Sequence, residues 1–103
     1  MKDLYHLSAT ESEIMQKLWT QDGPIRQTRL LEMFLESGKE WGRQTLNTLL
    51  IRLEQRNFVK REKRMVWAVY TREEFGKLII LETVQTYFDG NWQKMINECK
   101  KGR

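Results

Sequence analysis

The sequence predicts a mainly α fold with a small β-hairpin: a winged helix-turn-helix followed by C-terminal dimerisation helices. Three observations carry that prediction. Within residues 41–55, Leu46, Leu49, Leu50 and Leu53 recur at i, i+3, i+4 and i+7, the spacing of one buried helical face. Directly after them, residues 58–62 and 65–70 are rich in β-branched and aromatic side chains, with only Lys63 and Arg64 between the two runs at the basic turn. Two helical stretches precede this block and two follow it, so the order is three helices, a hairpin, then helices.

Taken in order, residues 1–7 read as an extended lead-in. Ser8 with Glu11, and Thr10 with Glu13, both match the S/T-x-x-E capping box, so the first helix begins there. Ile14, Met15, Leu18 and Trp19 supply its apolar face, and Gly23-Pro24 ends the segment. The second helix covers roughly residues 26–36, with Leu30, Leu31, Phe34 and Leu35 expected to face inward and Ile25 before it as a one- or two-residue strand. The third is the leucine-faced helix, and Asn57 just beyond it is suited to the left-handed conformation that closes helices. Thr71 and Glu74 form another capping box, opening a helix that runs to Asp89 and Gly90. A last short helix over residues 91–100 places Trp92, Met95, Ile96 and Cys99 on one side.

The face of the third helix opposite its leucines is unusual. Gln44, Asn47, Thr48, Ile51 and Gln55 lie within about 70° of that direction, flanked by Thr45 and Arg52. A solvated face ordinarily mixes Lys and Glu, whereas this one is amide- and hydroxyl-rich and free of acids until Glu54. Such side chains hydrogen-bond base edges in a major groove. On this reading Lys60, Arg61, Lys63 and Arg64 in the hairpin, with Arg43 at the helix start, reach backbone phosphates. The charge distribution agrees. Residues 39–72 hold nine Lys and Arg against three acids, a net of +6, while the rest of the chain carries −2.

Length and balance set the organisation: residues 1–70 as a winged-helix DNA-binding domain, and residues 71–103 as a helical dimerisation region. The fourth helix carries more Ile, Leu, Val and aromatic surface than one small core covers. Ile79, Ile80, Val84, Tyr87 and Phe88 are therefore expected at a dimer interface. A single cysteine, no apolar leader and no run of eighteen apolar residues point to a cytoplasmic chain that crosses no membrane.

Enzymatic chemistry is not expected. His6 is the only histidine and Cys99 the only thiol; neither they nor any Cys/His cluster has metal-ligand or redox spacing. Gly38 and Gly42 lack the Lys-Ser/Thr of a phosphate loop, and the Glu73-Glu74 pair is explained by the positive end of a helix dipole. No catalytic residue, metal or cofactor is assigned. Trp19 and Trp41 read as core residues rather than stacking platforms, and the side on which Trp67 packs is left open. A rival of another class is a winged-helix protein-interaction module whose basic face docks an acidic partner.

The segment Leu7-Ser8-Ala9-Thr10-Glu11-Ser12-Glu13-Ile14-Met15 followed by Leu18-Trp19 resembles the opening helix of the penicillinase-repressor family, which includes the methicillin-resistance and copper-responsive repressors. Trp41, Thr45, Leu46, Thr48-Leu49-Leu50, Arg52-Leu53 and Phe58 resemble its recognition-helix signature, and Tyr70-Thr71 its wing exit. The resemblance implies a homodimeric bacterial repressor that binds a palindromic double-stranded operator and blocks transcription. It also implies that Gln44, Thr45, Asn47, Thr48 and Arg52 face the groove, and that a sensor protease or another inducer is a further partner. The chain departs from the pattern in four places. Gly42-Arg43 stands where a Ser-Pro or Thr-Pro-like cap is usual, and Arg26 where Ser or Thr is usual before the second helix. Asn47 stands where a basic or hydroxyl residue is common, and the family's last helix is missing after Arg103. Cys99 alone does not reproduce the copper-type cysteine cluster, and Asn97-Glu98 lacks the aromatic of the protease-type cleavage pair, so no inducer is assigned.

Overall fold

The computed structural model describes residues 4–101 and contains five helices and a three-stranded antiparallel sheet. The order is α1 (Ala9–Trp19), β1 (Ile25–Arg26), α2 (Gln27–Glu36), α3 (Arg43–Gln55), β2 (Val59–Glu62), β3 (Met65–Ala68), α4 (Arg72–Tyr87) and α5 (Trp92–Lys101). The chain divides into two compact units, Leu7–Thr71 and, separately, Met1–His6 with Arg72–Arg103.

Local signals in the sequence account for the element ends of the first unit. Ser8 caps α1 through a capping box: its Oγ accepts from Glu11 N at 3.1 Å, and Glu11 Oε1 accepts from Ser8 N at 2.9 Å. The same Glu11 oxygen accepts from Arg56 Nη1 at 3.3 Å, which ties the start of α1 to the end of α3. Two helices stop in Schellman closures. After α2, Gly38 at φ +100° donates to Leu35 O and Lys39 to Phe34 O; after α3, Asn57 at φ +65° donates to Glu54 O and Phe58 to Leu53 O. The left-handed turn expected at Asn57 is present.

The core of this unit is assembled from the predicted apolar faces. Ile14, Met15 and Leu18 of α1, Leu30 and Phe34 of α2, and Leu46, Leu50 and Leu53 of α3 are buried together with Phe58, Val59 and Val66. Leu35 is 47 % exposed, a correction to the inward position expected for it. It lies about 140° around the helix from Leu30, outside the arc that Leu30 and Phe34 define. The sheet order is β1–β3–β2, with Ile25 opposite Val66 and Glu62 opposite Met65. Ile25–Arg26 thus completes a three-stranded sheet around the hairpin. Trp67 lies on the face of β3 opposite buried Val66, beside Lys60 on β2, and is half-buried. Trp19 and Trp41 are also half-buried. The Trp19 indole N–H donates to Tyr70 O at 2.9 Å, and Trp41 lies 4.6 Å from the Phe34 ring centroid.

In the second unit the described part of the lead-in is a turn at Leu4 and Tyr5, not an extended strand. Leu4 N donates to Glu82 Oε2 at 2.7 Å, and the Tyr5 ring meets Phe75 edge-on at 5.9 Å. Residues 1–3 of the expected lead-in, and the last two of the expected helical region, lie outside the described residues. Phe75 and Val84 are the buried residues of α4, while α5 buries none; Asn91 Oδ1 caps α5 by accepting from Lys94 N at 3.0 Å. Among the described residues, no helix is long and apolar enough to cross a membrane.

The packing predicts a sharp contrast between two leucines. Leu50→Ala is expected to cost about 2–5 kcal/mol, because it opens a cavity in the core. Leu35→Ala is expected to stay within about 0.5 kcal/mol, as for an ordinary surface change. Urea unfolding of both variants checks this, and equal losses count against the packing described.

Candidate nucleic-acid interface

The leucines fix how α3 is rotated. With Leu46, Leu50 and Leu53 buried against the rest of the unit, the opposite side is turned to solvent. Gln44, Thr45, Thr48, Ile51, Arg52 and Gln55 are all exposed, whereas Asn47 is half-buried. Of the residues expected on phosphates, Arg43, Lys60, Lys63 and Arg64 are exposed and Arg61 is half-buried.

Alternation along β2 explains Arg61. Val59 is buried and Lys60 and Glu62 are exposed, so Arg61 shares the side of Val59, which faces α3. Its guanidinium donates through Nη1 to Asn47 Oδ1 at 2.9 Å and to Gln27 Oε1 at 3.3 Å. Nε and Nη2 donate to Glu54 Oε1 at 3.3 and 3.0 Å. The side chain expected to extend toward a phosphate is instead occupied inside the protein, joining α2, α3 and β2. Glu54, the first acid on the exposed side of α3, forms an ion pair with it.

The turn between β2 and β3 is strained. Glu62 pairs with Met65, so the loop is two residues long, and both of them have positive φ: Lys63 at +52° and Arg64 at +68°. That is the backbone of a type I′ turn, which favours Asn-Gly because a β-carbon is disfavoured there. Two long cations occupy it here. Each left-handed non-glycine residue costs about 1 kcal/mol or more, a cost characteristic of positions kept for function.

Between the wing and the two helices of the helix-turn-helix lies a cleft of about 530 Å³. The first turns of α2 and α3 line it with Gln27, Thr28, Arg43 and Gln44, and Arg26, Asn47 and Arg64 contribute further polar groups. Neither helix has a side-chain N-cap, at Arg26 or at Gly42, and neither has an acid in its first turn. The first N–H of α2, at Gln27, donates to Arg64 O at 2.9 Å, while the remaining first-turn N–H groups of both helices have no capping side chain, and both positive dipole ends lie near three arginines. Among the described residues, no carboxylate lines the cleft. Of these residues, Gln27 and Thr28 are not singled out by the sequence, and Arg26 stands out there only as a departure from the Ser or Thr usual before the second helix. The signal present was the absence of any acid or capping hydroxyl where that helix begins.

The residues expected at a dimer interface are divided. Ile79, Ile80 and Tyr87 are exposed, Tyr87 to 69 %; Phe88 is half-buried; Val84 is only 2 % exposed. Val84 thus serves packing within the chain. Leu81 on α4, and Trp92 and Ile96 on α5, are further exposed apolar side chains.

A family model described as penicillinase repressor matches residues 7–102. No curated protein matches the chain.

The strained wing tip sets stability against charge. Arg64→Gly is expected to stabilise the fold by about 0.5–1 kcal/mol by relieving the left-handed backbone, raising the thermal midpoint by several degrees. Differential scanning calorimetry reads this directly, and a lowered midpoint contradicts the turn geometry.

Proposed function

The chain belongs to the penicillinase repressor family, and from that membership we propose that it is a homodimeric repressor that recognises a palindromic operator in double-stranded DNA. The observation that carries the reading is the uncharged, exposed side of α3. Gln44, Thr45 and Thr48 stand clear of the protein on a helix whose other side is locked into the core. A helix of this width fits the major groove, where amides, hydroxyls and arginine distinguish base pairs. Gln44, Thr45, Asn47, Thr48 and Arg52 take the base-facing roles. Arg43, Lys60, Lys63 and Arg64 take the backbone, where they set affinity and register without reading sequence.

Residues 71–103 supply the dimer contact. Ile79, Ile80 and Leu81 are consecutive on α4 and all exposed, so apolar surface sweeps around about 200° of that helix. A helix apolar on so much of its circumference is stable when a partner covers it. Tyr87, with Trp92 and Ile96 of α5, extends the uncovered apolar surface. Two copies joined this way present two recognition helices to half-sites about one helical turn apart, and the bound dimer blocks the promoter by occupying it.

Binding to matched and scrambled duplexes tests the division of roles. Gln44→Ala is expected to lose about 1–3 kcal/mol on the operator and little on scrambled DNA. Lys63→Ala is expected to weaken both alike and to reduce the slope of log K against log salt by about 0.9 per wing. Equal losses on both duplexes for both variants remove the base-reading role. For the dimer, sedimentation equilibrium of Ile80→Glu or Tyr87→Glu is expected to shift the population toward monomer. A wild-type chain that stays monomeric across the concentration series, with and without DNA, contradicts the interface.

A further inference from the structure

We propose that Ile51 is a specificity-determining residue that reads the 5-methyl group of thymine in the major groove. The inference rests on the DNA-binding reading above and deepens it by naming a base.

Ile51 is the one large apolar side chain on the polar side of α3, and it is 36 % exposed. It lies about 130° around the helix from the direction of the buried Leu46, Leu50 and Leu53, between Asn47 and Gln44 in the view down the axis. Thr48 at i−3 and Gln55 at i+4 are its neighbours, and both are exposed. The nearest acid, Glu54 at i+3, is paired with Arg61 at 3.0 Å, so its charge is neutralised by the wing.

The fold does not call for an isoleucine there. A β-branched side chain is a poorer helix former than Ala, Leu, Lys or Arg, and the part of Ile51 left in water contributes no burial. An isolated apolar side chain on a surface needs no partner in general. This one stands among the residues assigned to base edges, so the binding proposed above takes it out of water.

What it then meets decides whether it helps or hinders. Major-groove edges are polar almost throughout: guanine N7 and O6, adenine N7 and N6, and cytosine N4 would each lose water against an aliphatic group without gaining a hydrogen bond. The thymine methyl is the exception, because it gains by contact with another apolar group. Cytosine carries a hydrogen at the same C5 position, so it is the nearest competitor and differs by one methyl. Removing one methyl-sized group from water changes affinity roughly fourfold.

Selection from a random duplex library on the wild type and Ile51→Ala tests the proposal. The wild type is expected to enrich thymine at a position whose preference Ile51→Ala erases, while the preference that Gln44→Ala erases persists. Deoxyuridine in place of that thymine keeps every hydrogen bond and removes only the methyl. It is expected to weaken wild-type binding roughly fourfold per half-site and to leave Ile51→Ala unaffected. 5-Methylcytosine there is expected to bind the wild type more tightly than cytosine does, by a similar factor. Ile51 lies outside the core, so the alanine variant is expected to fold and to keep its thermal midpoint. A wild type indifferent to uracil at every thymine of its selected site overturns the proposal. So does an Ile51→Ala protein that still distinguishes thymine from uracil at that position by the same factor, or that binds every duplex more weakly by one common factor. If the wild type enriches no duplex at all, the DNA reading falls and this inference with it. That outcome is distinct from enrichment without a methyl-dependent position.

Discussion

Three leucines hold this molecule's surface in place. Leu46, Leu50 and Leu53 are buried on one side of α3, each contributing about 1.5–3 kcal/mol by its removal from water. Their sum rivals the whole net stability typical of a small domain. Rolling α3 by one residue, about 100°, would carry them into water and draw amides into the core. The side presented to a partner is therefore set by the side that is hidden. Gln44, Thr45 and Thr48 are displayed without holding the fold together themselves.

Around that helix, the fold closes its ends with local chemistry and leaves its starts open. Schellman turns at Gly38 and Asn57 satisfy the last carbonyls of α2 and α3, whereas the first turns of both helices have neither capping side chain nor acid. α1, which takes no part in the cleft, has a full capping box. The asymmetry gathers positive potential on one corner of the unit and leaves α1 neutralised by Glu11. The wing adds to the same corner by tolerating two cations in a backbone conformation that suits glycine better.

Much of this was legible in the sequence, for a physical reason: helices reveal themselves through periodicity and caps, which are local. Ser8 with Glu11, the leucine spacing of α3, Asn57 and the two short β runs each announced their element, and the family resemblance agreed with them. What escaped depends on contacts between distant positions. Nothing in the neighbourhood of Arg61 indicates that Asn47, fourteen residues earlier, and Gln27, thirty-four residues earlier, accept from its guanidinium. The alternation from Val59 to Arg61 was the available hint that this arginine turns inward. Val84 escaped for a related reason. On a helix apolar over most of its circumference, periodicity does not separate the residue packed inside from those left outside.

The sheet order has a practical corollary. With β3 in the centre, one outer strand is β1, only two residues long, and the other is β2. An unpaired strand edge invites another chain to add on, a common start of aggregation. Here one border is too short to template anything, and the other is punctuated by Lys60, Arg61 and Glu62, which discourage a second strand from docking. The protein can therefore carry exposed apolar side chains on its C-terminal helices while its β edges resist non-specific growth at high concentration.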